Sequence, residues 1–232
     1  MNKILCIGLG KLGLIFSFIL ASKNNFIYGY DVDPKIKANI TTNKKNHEPK
    51  LNQLIKKFSN RFKFEKNFKL TVTETNCSFL VVPTPSKKNN EFDNKFIFNA
   101  LDNIGPYLKN KKKYIINVTS TVNPGSCLKF INYIEKNYNV THGKEFIITY
   151  NPHLIALGSI YNDVINSDVV LIGSNDNFGF KYLKKIYLPI YRNKISKLKF
   201  LNLEEAEISK IAINTYVTMK ISFTNTISQI SD

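Results

Sequence analysis

The stretch ILCIGLGKLG, residues 4–13, decides how the rest of the chain is read. Its three glycines have the spacing G-x-G-x-x-G, with an apolar run before them and another after. Alone, that pattern fits a turn as well as a phosphate-holding loop. A dinucleotide loop further needs a strand before it, a helix after it and an acid roughly 20 residues on. KILCIG (3–8) reads as a buried strand, LGLIFSFILASK (12–23) as a helix, and FIYGYD (26–31) as a second strand ending in Asp31. On this reading Gly8 permits a tight turn, Gly10 lets the backbone approach a pyrophosphate, and Gly13 lets the helix pack closely on the sheet. Leu9, Lys11 and Leu12 complete the loop, and the helix N-terminus offers free N–H groups and a partial positive charge. Asp31 is placed to accept hydrogen bonds from ribose hydroxyls and disfavours a 2′-phosphate, so NAD is expected rather than NADP.

Outward from this loop, short apolar runs alternate with amphipathic ones. KLTVT (69–73), CSFLVVP (77–83), KYIINVTS (113–120), EFIITYN (145–151) and DVVLIG (168–173) read as strands. EPKLNQLIKKFSN (48–60) and FIFNALDNIGPYL (96–108) show helical spacing. Near-continuous apolar strands between helices imply a Rossmann-like, doubly wound, mainly parallel sheet covered on both faces. PTPSKKNNEFDN (83–94) and KNKKK (109–113) read as solvated loops. Residues 1–200 are expected to form this domain. From 201 to 232 the chain has neither Gly nor Pro, and Ile208, Ile211, Ala212, Thr215 and Val217 fit the start of one long helix in which the sequence stops.

Composition narrows the function classes. Three cysteines, Cys6, Cys77 and Cys127, sit in apolar segments without C-x-x-C spacing, as small core residues do. With three dispersed histidines, His47, His142 and His153, no metal site is expected. The longest apolar run, LGLIFSFILA (12–21), is far short of the roughly 18 residues a membrane span needs. A cytoplasmic protein with no membrane partner is expected. The formal net charge of +16 comes almost wholly from lysine, Arg61 and Arg192 being the only arginines. Nucleic-acid surfaces favour arginine forks, and Lys, Asn and Ile are what AT-rich codons supply, so nucleic acid is not the expected partner. A basic surface would still attract a nucleotide.

Seven segments, in order, resemble the UDP-glucose/GDP-mannose dehydrogenase family. They are IGLGKLG with GYDVDP, HEPKLNQLI (47–55), VVPTPS (81–86), TSTVNPGS (119–126), YNPHLIALG (150–158), SDVVLIG (167–173) and EISKIAINTYVTMKISFTN (207–225). The 6-phosphogluconate and 3-hydroxyisobutyrate dehydrogenase group shares the first loop but not the VPTP, STV and helix segments. The resemblance implies oxidation of a primary alcohol on a nucleotide-diphosphate sugar to a carboxylate with two NAD in succession, an active-site cysteine trapping the aldehyde between the two steps.

Carried over residue by residue, the resemblance implies that Lys35 or Lys37 lies over the ribose. Val82, Pro83, Thr84, Pro85 and Ser86 would line the pyrophosphate and nicotinamide ribose, and Ser120 and Thr121 the nicotinamide end. Thr121 is further implied to order the catalytic water, and Lys210 and Asn214 to contact substrate and stabilise an oxyanion. His153 stands where the family commonly has a glutamate, and Leu157 where some members have a second acid. Main-chain groups around Leu154, Ile155, Ala156 and Leu157 are implied substrate contacts. The family's cysteine nucleophile lies in a segment beyond the long helix that has no counterpart in these 232 residues, nor has the UDP-binding domain after it. The long helix would supply a homodimer interface. A non-catalytic module binding NAD or a nucleotide sugar remains the alternative.

Overall fold

The computed structural model describes residues 1–41, 48–155, 160–192 and 194–231. In chain order they form β1 (Asn2–Ile7), α1 (Lys11–Ser22), β2 (Asn25–Tyr30), α2 (Pro34–Thr41), α3 (Pro49–Phe58), β3 (Phe62–Phe64), α4 (Phe68–Glu74) and β4 (Cys77–Leu80). There follow α5 (Lys95–Ile104), β5 (Tyr114–Val118), α6 (Ser126–Tyr138), β6 (Phe146–Tyr150), α7 (Ile160–Asn166), β7 (Val170–Gly173), α8 (Asn177–Tyr187), β8 (Leu198–Leu201) and α9 (Leu203–Ser231). The strands make one sheet in the order β3-β2-β1-β4-β5-β6-β7-β8. All neighbouring pairs run parallel except β6 and β7.

Strand side chains alternate between the two faces of the sheet, and here both faces are apolar. Ile4 and Cys6 pack into the layer under α1, α3 and α8, with Ile15, Phe16, Ile55 and Ile186. Leu5 and Ile7 point the other way, to a layer with Ile97, Leu101 and Phe130 from α5 and α6. This two-sided burial is why the strands read as continuous apolar runs.

One expected strand is a helix. KLTVT lies inside α4, whose first turn is capped by Asn67, its side-chain oxygen accepting from Leu70 N at 3.0 Å. The cap outweighs the β-branched composition, and burial of Thr71 and Val72 follows helical spacing. The edge strands β3 and β8 are three and four residues long, too short to leave a pattern. The long helix is present, but the side it lays on the domain is Leu203, Ala206, Glu207 and Lys210, all buried. Ile208 and Val217 are half exposed.

Candidate functional site

β1 leads to neighbours on one side and β4 to neighbours on the other, so a crevice opens beyond the carboxyl ends of these two central strands. A cleft of about 680 Å³ lies there, lined by the glycine loop, Asp31, Val81 to Thr84, Thr119 to Thr121, His153, Ile155 and Lys210. Gly8 has φ +91° and sits so close to Val81 that a Cβ would strike its carbonyl oxygen. A Cβ on Gly13 would strike the Gly8 carbonyl oxygen. At Gly10 a Cβ would meet nothing within 4 Å, because that position faces the cleft. Helix α1 begins here with no capping side chain and no acid in its first turn. Its first N–H groups are therefore left for a ligand, and the residues present fit a dinucleotide pyrophosphate.

Asp31 stands at the end of β2. Its carboxylate accepts from Leu9 N at 2.6 Å and from Asp33 N at 2.9 Å, one bond to each oxygen, which leaves acceptor capacity on both. Leu9 is thus a buried strut of the loop rather than part of the lining. Lys11 and Leu12 line the cleft, whereas Lys35 and Lys37 are not among its lining residues. Between these two lysines Ile36 reaches it, and the Lys37 ammonium lies 5.7 Å from the centre of the Phe64 ring.

The opposite wall is two loops joined to each other. Ser120 Oγ donates to Val82 O at 2.6 Å, and Thr84 Oγ1 donates to Thr121 O at 2.7 Å. Pro85 and Ser86 turn out of the cleft: Pro85 O accepts from Asp93 N, and Ser86 bridges to Phe92.

At the floor, the segment after β6 is held by Asn151, which donates to Leu171 O at 2.6 Å and accepts from the Tyr187 hydroxyl. The His153 ring meets Phe16 edge-on at 4.6 Å, and its Nε2 is buried with no hydrogen-bond partner among the described residues. Burial, then the Lys210 charge, lowers the His153 pKa to about 4, so its imidazole is neutral near pH 7. Lys210 is 6% exposed and donates to His153 O at 2.9 Å. Burial lowers its pKa too. Asn214, one turn on, is exposed and is not among the cleft's lining residues. Ile155 lines the cleft, whereas Leu154 faces a separate hollow beside Asn162 and Asp168. Ala156, Leu157 and His47 lie outside the described residues.

Helix α5 contributes lining residues that escape a motif-based reading, among them Phe96, Asn99 and Asn103. The spacing i, i+3, i+7 within FIFNALDN was their only signal. All three cysteines are buried and free. Burial pushes the Cys6 thiol up to about 12 and raises Cys77 and Cys127 well above the usual range, which disfavours the thiolate at each. Among the described residues, no group of His, Cys, Asp and Glu could hold a metal ion, and no helix is long and apolar enough to cross a membrane.

A glycine loop at the switch point of this sheet order places the molecule among the nucleotide-binding Rossmann domains. Residues 2–191 match the NAD binding domain of the UDP-glucose/GDP-mannose dehydrogenase family. The chain belongs to that family, and its cofactor is NAD. It is 29% identical over 231 residues to UDP-glucose 6-dehydrogenase of Rickettsia typhi, covering 97% of this chain and 51% of the relative. The ternary-complex structure of GDP-mannose dehydrogenase from Pseudomonas aeruginosa superposes with a TM-score of 0.88 at 27% identity, over 96% of this chain and 51% of that one. A UDP-glucose dehydrogenase structure from Pyrobaculum islandicum gives 0.85 at 26% identity, over 98% and 52%. The chain thus spans about half the length of the relatives it matches.

Proposed function

We propose that this chain is the cofactor-binding half of an NAD-dependent nucleotide-sugar dehydrogenase, oxidising a primary alcohol of a nucleotide-diphosphate sugar toward the carboxylate. The observation that carries this reading is Lys210. Its ammonium is buried in the same cleft as the glycine loop, with a backbone carbonyl at 2.9 Å and, among the described residues, no ion pair to neutralise it. A largely buried, fixed cation stabilises negative charge developing on a substrate oxygen. Bound NAD supplies the hydride acceptor.

The chain's own residues then divide the remaining work. Gly8 to Gly13 and the start of α1 hold the phosphates, and Asp31 holds the ribose. Val82 to Thr84, with Ser120 and Thr121, wall the nicotinamide end, where Thr121 orients a water. His153 offers a neutral ring nitrogen as acceptor, and Asn214 continues the line of Lys210 toward a bound sugar nucleotide. The resemblance calls for a thiolate, and Cys6, Cys77 and Cys127 do not provide it. Residues 1–200 act as the cofactor domain in this reading, and 201–232 begin the helix. Tyr216, Met219, Phe223, Ile227 and Ile230 lie along the exposed length of α9 at three- and four-residue spacing, which supports a homodimer through that helix. Three reduced, buried cysteines agree with a cytoplasmic setting.

Calorimetry with NAD and NADP, and NADH absorbance with a panel of UDP- and GDP-sugars, test the proposal. NAD binding with sugar-dependent NADH formation supports it. NAD binding without turnover on any sugar, when this chain is fused to the second half of a matched relative as well as alone, favours the non-catalytic module, and binding of neither NAD nor any sugar nucleotide rejects both.

A further inference from the structure

Glu207 has no part in the chemistry above, yet its carboxylate is 1% exposed. It accepts from Gly125 N at 2.6 Å and from Cys127 N at 2.7 Å. These donors belong to the start of α6, whose N-cap residue, Gly125, has no side chain to cap with. A carboxylate from a helix some 80 residues away therefore satisfies them, at the end where the helix dipole favours negative charge.

The position of this clamp gives it a further consequence. Ser120 and Thr121 precede Gly125 on the same loop, and Lys210 follows Glu207 by three residues on α9. One carboxylate thus joins the wall carrying Thr121 to the helix carrying Lys210. Leu203 and Ala206 bury apolar surface beside it, but apolar contact is non-directional and tolerates a slide or rotation of the helix. Two short charge-assisted hydrogen bonds do not. Burial of a carboxylate is itself unfavourable, and the two N–H bonds it accepts offset that cost only while helix and loop keep this register. The carboxylate is explained by the geometry it imposes.

We propose that Glu207 is a positioning residue that sets the Lys210 ammonium against the 119–125 loop. What Lys210 is positioned for rests on the dehydrogenase reading; the clamp itself does not.

Competitive acylation of this chain with acetic anhydride, read by peptide mass spectrometry, tests the clamp. The rate at Lys210 is compared with that at Lys111, whose Nζ donates to Thr73 O at 2.9 Å in another part of the domain. In Glu207→Gln, one acceptor remains and an NH₂ opposes the other N–H. Lys210 should label about tenfold faster relative to Lys111, as loss of a hydrogen bond to a charged group implies. Glu207→Asp keeps both acceptors on a shorter stem and should fall between. An unchanged ratio in folded Glu207→Gln overturns the proposal. A proportional rise at both lysines also overturns it, since Glu207 would then support only general stability. If Glu207→Gln does not fold, the Glu207→Asp ratio decides by the same criterion. Failure of the dehydrogenase reading would show separately, as wild-type chain that does not bind NAD.

Discussion

Replacing Gly10 with alanine should separate binding from folding. Gly10 has φ −63° and ψ −165°, an extended conformation open to any residue, and its Cβ would meet no atom within 4 Å. The methyl group therefore strains nothing in the folded chain. A small gain from reduced unfolded-state freedom and a small loss of N-cap preference leave stability within about 1 kcal/mol of wild type. That corresponds to a Tm shift of roughly 2–4 °C at this chain length. In the proposed placement of NAD, the same methyl group occupies the space through which the pyrophosphate approaches α1. Losing two charge-assisted N–H bonds at about 1.5 kcal/mol each removes about 3 kcal/mol, or roughly 100-fold in NAD affinity. Gly13→Ala is the converse: its Cβ collides with the Gly8 carbonyl oxygen. Helix α1 must then move, at about 3 kcal/mol, so Tm falls by roughly 6–12 °C. Differential scanning calorimetry and NAD titration of both variants check this. A Gly10→Ala protein binding NAD within about threefold of wild type would refute the assignment of the pyrophosphate to this loop.

Three further outcomes are expected. Asp31→Asn keeps an acceptor for Leu9 N but removes the charge facing a 2′-phosphate. Paired NAD and NADP titrations should show discrimination falling at least about tenfold. His153 has a folded pKa of about 4, below its ordinary 6.5, so the unfolded chain binds the extra proton between those values. Stability should therefore fall as pH drops from about 6.5 to about 4, by up to about 3 kcal/mol, and be insensitive to this group above that window. His142 is shifted the same way by burial. The measurement is thus the difference between wild-type and His153→Gln denaturation curves across pH, and parallel curves would contradict it. Lys210→Met removes a buried cation of similar length. NMR titration should show the His153 pKa rising, while stability stays level or increases by about 1 kcal/mol.

Much of the fold was legible because its signals are local. A glycine spacing, an apolar run on either side and an acid at the end of the next strand are covalently close, and each has one main physical use. They placed β1, α1 and β2, the loop between them and Asp31. The central strands β4, β5, β6 and β7 were legible because burial on both faces leaves uninterrupted apolar runs. KLTVT misled because β-branched content describes a tendency, whereas the Asn67 side-chain cap supplies an actual hydrogen bond at the helix start.

The lining of the cleft depended on distance in space. Lys210 and Asn214 look equivalent in sequence, four residues apart on one helix. Only the docking of α9 on its Leu203, Ala206 and Glu207 side buries the first and exposes the second. His153 was legible as a substitution in a motif. Its neutral state was not, because it arises from packing against Phe16 and from a lysine 57 residues later. Glu207 carried no signal: an acid near a helix start is commonplace until the N–H groups it accepts from are known. Local pattern was enough to read a Rossmann-like, mainly parallel sheet and its glycine loop from the sequence. Tertiary structure alone decided which polar groups share the cleft, because burial and charge act between residues that the chain brings together only by folding.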